Sequence, residues 1–193
     1  MIKQLSLLLC NYVSGYLSLE NKEKEIYCYC IEQVISKVLF YFCLILFGLL
    51  TQRLVVAVLF LFSFIHLKSF GGGGHAATKK QCTFLSYGIS FLTIFFTPII
   101  CNYIPDNLLF FFYFFSIIYP LLKAPIDTKN KRFVGKQRQY LRLKFLLFLL
   151  LQTAIFSVLY YYNLKSFYGI LSICAIIFVI SFFIGELQNR KDS

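Results

Sequence analysis

One histidine, one cysteine and a run of four glycines stand within twelve residues, from Gly71 through Gly74 and His75 to Cys82. An imidazole can take the proton of a thiol near neutral pH, and the thiolate left behind is a strong nucleophile. On one straight helix, residues seven apart share a face but lie about 10 Å apart along the axis. Proton transfer needs contact at roughly 2.6–3.2 Å, so the spacing predicts His75 on a bent loop that folds back toward a helix carrying Cys82. Four successive glycines would weaken any helix that ran through them, which fits that bend. Backbone N–H groups of Gly72, Gly73, Gly74 and Ala76 could then support the loop or face a developing oxyanion. Thr78 followed by Gln81 has the spacing of a capping box, with Thr78 as N-cap. Cys82 would fall in the first turn of the next helix, where the positive helix end favours a thiolate and Lys79 and Lys80 assist. Ser86, one turn further, would share its face. The plainer alternative is a cysteine that packs at a helix start beside a polar loop histidine. Asp127 could orient His75 from another loop.

The glycines do not match the phosphate-binding pattern G-x-x-x-x-G-K-[ST], which excludes a nucleotide loop here. The seven cysteines, at 10, 28, 30, 43, 82, 101 and 174, are odd in number and irregular in spacing, so no disulfide framework is expected. Neither a metal nor a cofactor is expected; Cys28 and Cys30 lack nearby partners to complete a ligand set. His66, ending an apolar run with no nucleophile beside it, reads as an interfacial anchor.

The elements that must position these residues follow from composition. The chain has 193 residues, 59% hydrophobic and 14% charged. That is too little charge to cover a soluble domain, which carries about 25%. The apolar residues gather into Val34–Leu50, Leu54–Leu67, Phe84–Cys101, Leu108–Leu122, Phe145–Tyr162 and Phe167–Gly185. A spanning helix needs roughly 17–25 residues, so the second and fourth runs must draw in flanking Thr51, Gln52, Asn107 or Ser69. The expected fold is all-α: a polytopic membrane protein with about six transmembrane helices and an N-terminal interfacial amphipathic helix. Leu5, Leu8, Leu9, Tyr12 and Tyr16 would lie near one face of that first helix. The expected organisation is one membrane-embedded domain over 1–193, with an N-terminal segment 1–33, a catalytic loop and helix start 68–83, and a basic loop 123–144.

Charge tests the topology independently. With the N-terminus cytoplasmic, 17 of the 19 Lys and Arg fall inside, leaving Arg53 and Lys165 outside. Cationic bias sets orientation, so both termini are expected in the cytoplasm of a multi-pass cell-membrane protein. The block from Lys123 to Lys144 holds eight cations against Asp127, and would lie near anionic lipid headgroups. Almost charge-free spans argue against a small transporter, which places polar groups at the midplane. A non-enzymatic peptide-binding scaffold keeps the basic loops and needs no thiolate. Nucleic acid is not expected as a partner. Aromatic-rich helices could face lipid or another copy, leaving a homodimer open.

The G-G-G-G-H-A run with Cys82 seven positions after His75, the basic loop containing Ala124–Lys131, and the chain length together resemble the accessory gene regulator B family. That resemblance implies a membrane cysteine endopeptidase of Gram-positive quorum sensing, which cleaves a signal-peptide precursor and helps close it into a thiolactone or lactone. By motif position it implies His75 and Cys82 as the catalytic pair and Lys129 and Lys131 in processing. Arg132 beside them, and Lys68 where the family often has Arg, join the expected substrate-binding set. The implied partner is an amphipathic precursor whose acidic C-terminal tail meets the Lys123–Lys144 block.

Overall fold

The computed structural model describes residues 2–16, 21–74, 78–126 and 135–191. Every regular element among them is an α-helix. In order these are α1 (Ile2–Tyr16), α2 (Asn21–Leu50), α3 (Leu54–Gly71), α4 (Lys79–Tyr103), α5 (Asp106–Lys123), α6 (Lys136–Tyr161) and α7 (Lys165–Lys191). Six of them, α2 to α7, are long and apolar enough to cross a membrane. Each holds one of the six apolar runs, the fifth ending one residue past α6, at its C-cap Tyr162.

The two short runs reach spanning length differently. α5 takes in Asp106 and Asn107, while α3 runs on through Ser69 to Gly71. Both then have 18 residues, about 27 Å at roughly 1.5 Å per residue, close to the ~30 Å hydrocarbon core. Thr51 and Gln52 stay in the α2–α3 turn. The remaining polar flanks prolong α2, α6 and α7 beyond their apolar runs, because a helix keeps its backbone bonded internally in lipid and in water alike.

The described chain divides into two compact units, Met1–Leu46 and Phe47–Ser193. In the first, α1 buries Ser6 and Cys10 and leaves Leu8, Leu9 and Tyr12 exposed, an apolar face open to lipid. Leu5 and Tyr16 side chains lie outside the described residues. One expectation fails here: Cys10 and Cys28 form a disulfide, with Cα atoms 5.2 Å apart. Spacing in sequence carried no sign of it, because the pairing arises from α1 folding back beside the start of α2.

In the second unit α7 is central and packs against α3, α4, α5 and α6. Half of its most apolar stretch is buried within the protein, against 28% for each of α4, α5 and α6. Lipid is as apolar as a side chain, so membrane helices associate through close packing more than through hydrophobic burial. Gly169 accordingly sits against Cys101, with no room for a Cβ, and Gly48 admits Ala57 across the α2–α3 hairpin, where a Cβ would come to 2.7 Å. Tyr113 stacks on Phe156 at 4.0 Å between ring centroids, and its hydroxyl meets Thr153 Oγ1 at 3.1 Å. Three short turns, α2–α3, α4–α5 and α6–α7, share one end of this unit. The longer α3–α4 and α5–α6 connections share the other, and they carry the candidate chemistry.

Candidate functional site

The glycine run is built into the protein backbone to backbone. Gly71, the last residue of α3, is buried, and a Cβ there would come to 2.5 Å of Phe178. Gly72 (φ 87°) closes the helix by donating its N–H to Lys68 O at 3.2 Å, in a backbone conformation that side chains resist. Ile126 N–H donates to Gly71 O at 3.1 Å, tying the α5–α6 connection to the loop. A Cβ on Gly72 would stand 2.9 Å from Ile126 O. Gly73 (φ 146°) lies over Ser181, and Gly74 N–H donates to Ser181 O at 2.6 Å. Gly185 completes the contact from α7: a Cβ on it would be 2.7 Å from both Gly73 C and Gly74 N. The bend is thus a moulded seat, with α7 on one side and Ile126 on the other. Two of its N–H groups, on Gly72 and Gly74, already have acceptors, which makes loop support their visible role.

Past the loop, the expected helix start is present. Thr78 is the N-cap of α4, and its hydroxyl accepts the Gln81 N–H at 3.3 Å. Cys82 N–H bonds to Thr78 O at 3.0 Å, so Cys82 stands in the first turn. It is a half-buried thiol outside any disulfide. Ser86 follows one turn on, its carbonyl accepting from Ser90 Oγ at 2.6 Å. Lys68 lies in the last turn of α3, its ammonium 5.8 Å from the Phe64 ring centroid. His75 and Ala76, with Asp127, Lys129, Lys131 and Arg132, lie outside the described residues.

His66, expected as an interfacial anchor, packs within the bundle. Its Nδ1 lies 2.6 Å from Phe62 O, so that nitrogen carries the proton, and its ring stacks on Phe148 at 4.7 Å.

A charged cluster that sequence reasoning missed braces the seat. Glu186 follows Gly185 directly, and its carboxylate accepts from Lys123 Nζ at 2.8 Å, Arg190 at 3.0 Å and the Tyr119 hydroxyl. Lys123 also donates to Tyr119 OH at 3.0 Å. The carboxylate therefore bolts the end of α5 to the end of α7 at the level of the glycines. Gly185 closing the last apolar run, with an acid next to it, was the available signal. Backbone partners such as Ser181 O and Ile126 N leave no trace in residue types.

The profile of the accessory gene regulator B family matches residues 6–184, which takes in the four-glycine run, the capped start of α4 and most of the central helix. The chain belongs to the accessory gene regulator B family. Two proteins of Clostridium perfringens, each described as AgrB-like, are among its relatives. That of strain SM101 is 31% identical over 175 residues, covering 85% of this chain and 80% of its own. That of strain 13 is 28% identical over 174 residues, covering 84% and 80%. No solved structure matches the chain. Membership in the accessory gene regulator B family implies involvement in quorum-sensing peptide processing.

Proposed function

We propose that this protein is a membrane cysteine endopeptidase that cuts the C-terminal tail from a signal-peptide precursor and promotes its closure into a thiolactone or lactone. The observation that supports this best is the place of Cys82: a half-buried thiol in the first turn of a capped helix, just beyond a rigidly seated glycine loop that leads into His75. The thiolate is the attacking form of such a cysteine.

In this reading His75 takes the Cys82 proton, and the sulfur attacks the precursor carbonyl at the future end of the mature peptide. The tetrahedral oxyanion collapses, the C–N bond breaks, and the leaving amine takes the proton from the imidazolium. The tail departs and the peptide remains as a thioester on Cys82. A Cys thiol or Ser hydroxyl within the peptide then attacks that thioester and releases the Cys82 sulfur. Exchange between acyl esters conserves activation, so closure needs no ATP. Lys68, Lys129, Lys131 and Arg132 are assigned to the acidic tail, by charge complementarity. An amphipathic precursor confined to the same interface reaches the thiol by diffusion in two dimensions.

The test is to incubate the membrane-embedded protein with a candidate precursor and examine it by intact-mass spectrometry. A covalent adduct of the peptide mass, absent in Cys82→Ala, is expected. A Cys82→Ala protein that still processes precursor would overturn the reading and leave a scaffold role. Neutralising Lys129 and Lys131 together should lower processing while membrane insertion persists; unchanged processing counts against the tail assignment.

A further inference from the structure

The end of the bundle away from the glycine seat holds three charged residues, Arg53, Asp106 and Lys165. Two neutralise each other: Lys165 Nζ lies 2.9 Å from Asp106, whose carboxylate also accepts the Tyr168 hydroxyl at 2.7 Å. Arg53 has no counter-charge among the described residues. Its guanidinium stands 4.7 Å from the Phe95 ring centroid, and its Nη1 is buried with no hydrogen-bond partner among the described residues. A shielded donor on a permanent cation is costly at the edge of a hydrocarbon layer unless an anion supplies the missing contact.

Arg53 also lines a cleft of about 410 Å³ between the α2–α3 turn, Pro98 of α4 and the start of α7. Gln52, Arg53 and Ser166 are its polar walls, and Leu54, Val55 and Phe167 its apolar ones. Gln52 holds a left-handed backbone (φ 56°) to make the turn that presents them. The cleft has room for a small headgroup and not for a whole lipid, and exposed Leu54 and Val55 continue it outward as an apolar track. A planar guanidinium matches a phosphate with two parallel hydrogen bonds. In a chain that spans the bilayer, this end meets one headgroup layer.

We propose that this cleft binds the phosphate of a membrane phospholipid, with Arg53 on the phosphodiester and an acyl chain along Leu54, Val55 and Phe167. The site lies at the opposite end of the bundle from the glycine seat and does not depend on the catalytic reading.

The chain contains no Trp, so Phe167→Trp places a single fluorescent reporter in the cleft wall. The full-length variant in detergent would be titrated with phosphatidylglycerol brominated on its acyl chains, which quenches indole on contact. Saturable quenching is expected, with half-saturation rising about tenfold when Arg53→Gln is added. Brominated diacylglycerol, which lacks the phosphate, should quench only at much higher concentration. Quenching that is equal for diacylglycerol and phospholipid, or unchanged by Arg53→Gln, overturns the proposal. Should Arg53→Gln fail to fold, Arg53→Lys keeps the charge without the fork, and it too must weaken quenching. Inorganic phosphate that displaces the lipid at micromolar concentration would reassign the site to a free anion.

Discussion

At the scale of single residues, the capped helix start is the feature most open to test. Thr78 satisfies a backbone N–H that would otherwise lack an intrahelical partner. Replacing it with Ala should cost about 1 kcal/mol at the start of α4, as loss of an N-cap usually does. If Cys82 acts from that turn, Thr78→Ala should slow adduct formation several-fold at normal protein levels, and Thr78→Ser should restore it. Mass spectrometry of the trapped adduct over time checks both. The glycines offer a sharper contrast. Gly185→Ala would press a methyl against the backbone of Gly73 and Gly74, whereas nothing lies within 4 Å of a Cβ at Gly88. Gly185→Ala should therefore abolish most processing, and Gly88→Ala should keep activity while stabilising α4 by up to ~1 kcal/mol. Thermal denaturation in detergent, run beside the processing assay, separates the two outcomes. Thr78, Gln81 and Cys82 were legible in sequence because capping is local chemistry with a fixed spacing. The Gly185 contact was not, since it joins residues more than a hundred positions apart through atoms every residue type possesses.

At the scale of elements, one carboxylate ties α5 to α7 at the end of the bundle that carries the glycine seat. Glu186 is held by Lys123, Arg190 and Tyr119 beside the glycine seat. Glu186→Lys would set three cations together and should loosen the α3–α4 connection, seen as faster tryptic cleavage after Lys79 or Lys80 and reduced processing. The reciprocal pair Lys123→Glu with Glu186→Lys should recover part of both, because the exchange restores an opposite-charge contact at the same place. No recovery would mean that the seat does not depend on this bridge. The helices themselves were readable from their apolar runs, and their ends much less so. α3 stops where Gly72 turns and Ile126 bonds to Gly71 O, a decision made by tertiary contact. The disulfide is the clearest case: Cys10 and Cys28 become neighbours only when α1 lies along α2. Alkylation of the denatured, unreduced protein should label five thiols, Cys30, Cys43, Cys82, Cys101 and Cys174, and reduction should add two.

At the scale of the whole molecule, the distribution of Lys and Arg predicts that both termini face the cytoplasm. An alkaline phosphatase fused after Ser193 should then be inactive, and one inserted at the α4–α5 turn active; the reverse pattern would invert the topology. Orientation also bears on the disulfide, since cytoplasmic thiols are normally kept reduced. The count of labelled thiols from protein isolated under acid quench therefore reads the redox state of the N-terminal hairpin in the cell.

Composition and local spacing by themselves determined that this chain is a helical membrane protein with six helices long enough to span, and where α4 begins. Each of those depends on side-chain type along a local stretch: hydrocarbon demands long apolar helices, and a cap needs its acceptor at a set distance. Tertiary structure alone decided that α7 is the central helix of its unit, that the four glycines are moulded against Ser181, Gly185 and Ile126, and that Arg53 stands beside a cleft with no counter-charge among the described residues. Those outcomes depend on which helix faces meet. Between membrane helices that choice is made by close approach and backbone bonding, neither of which is written in hydropathy.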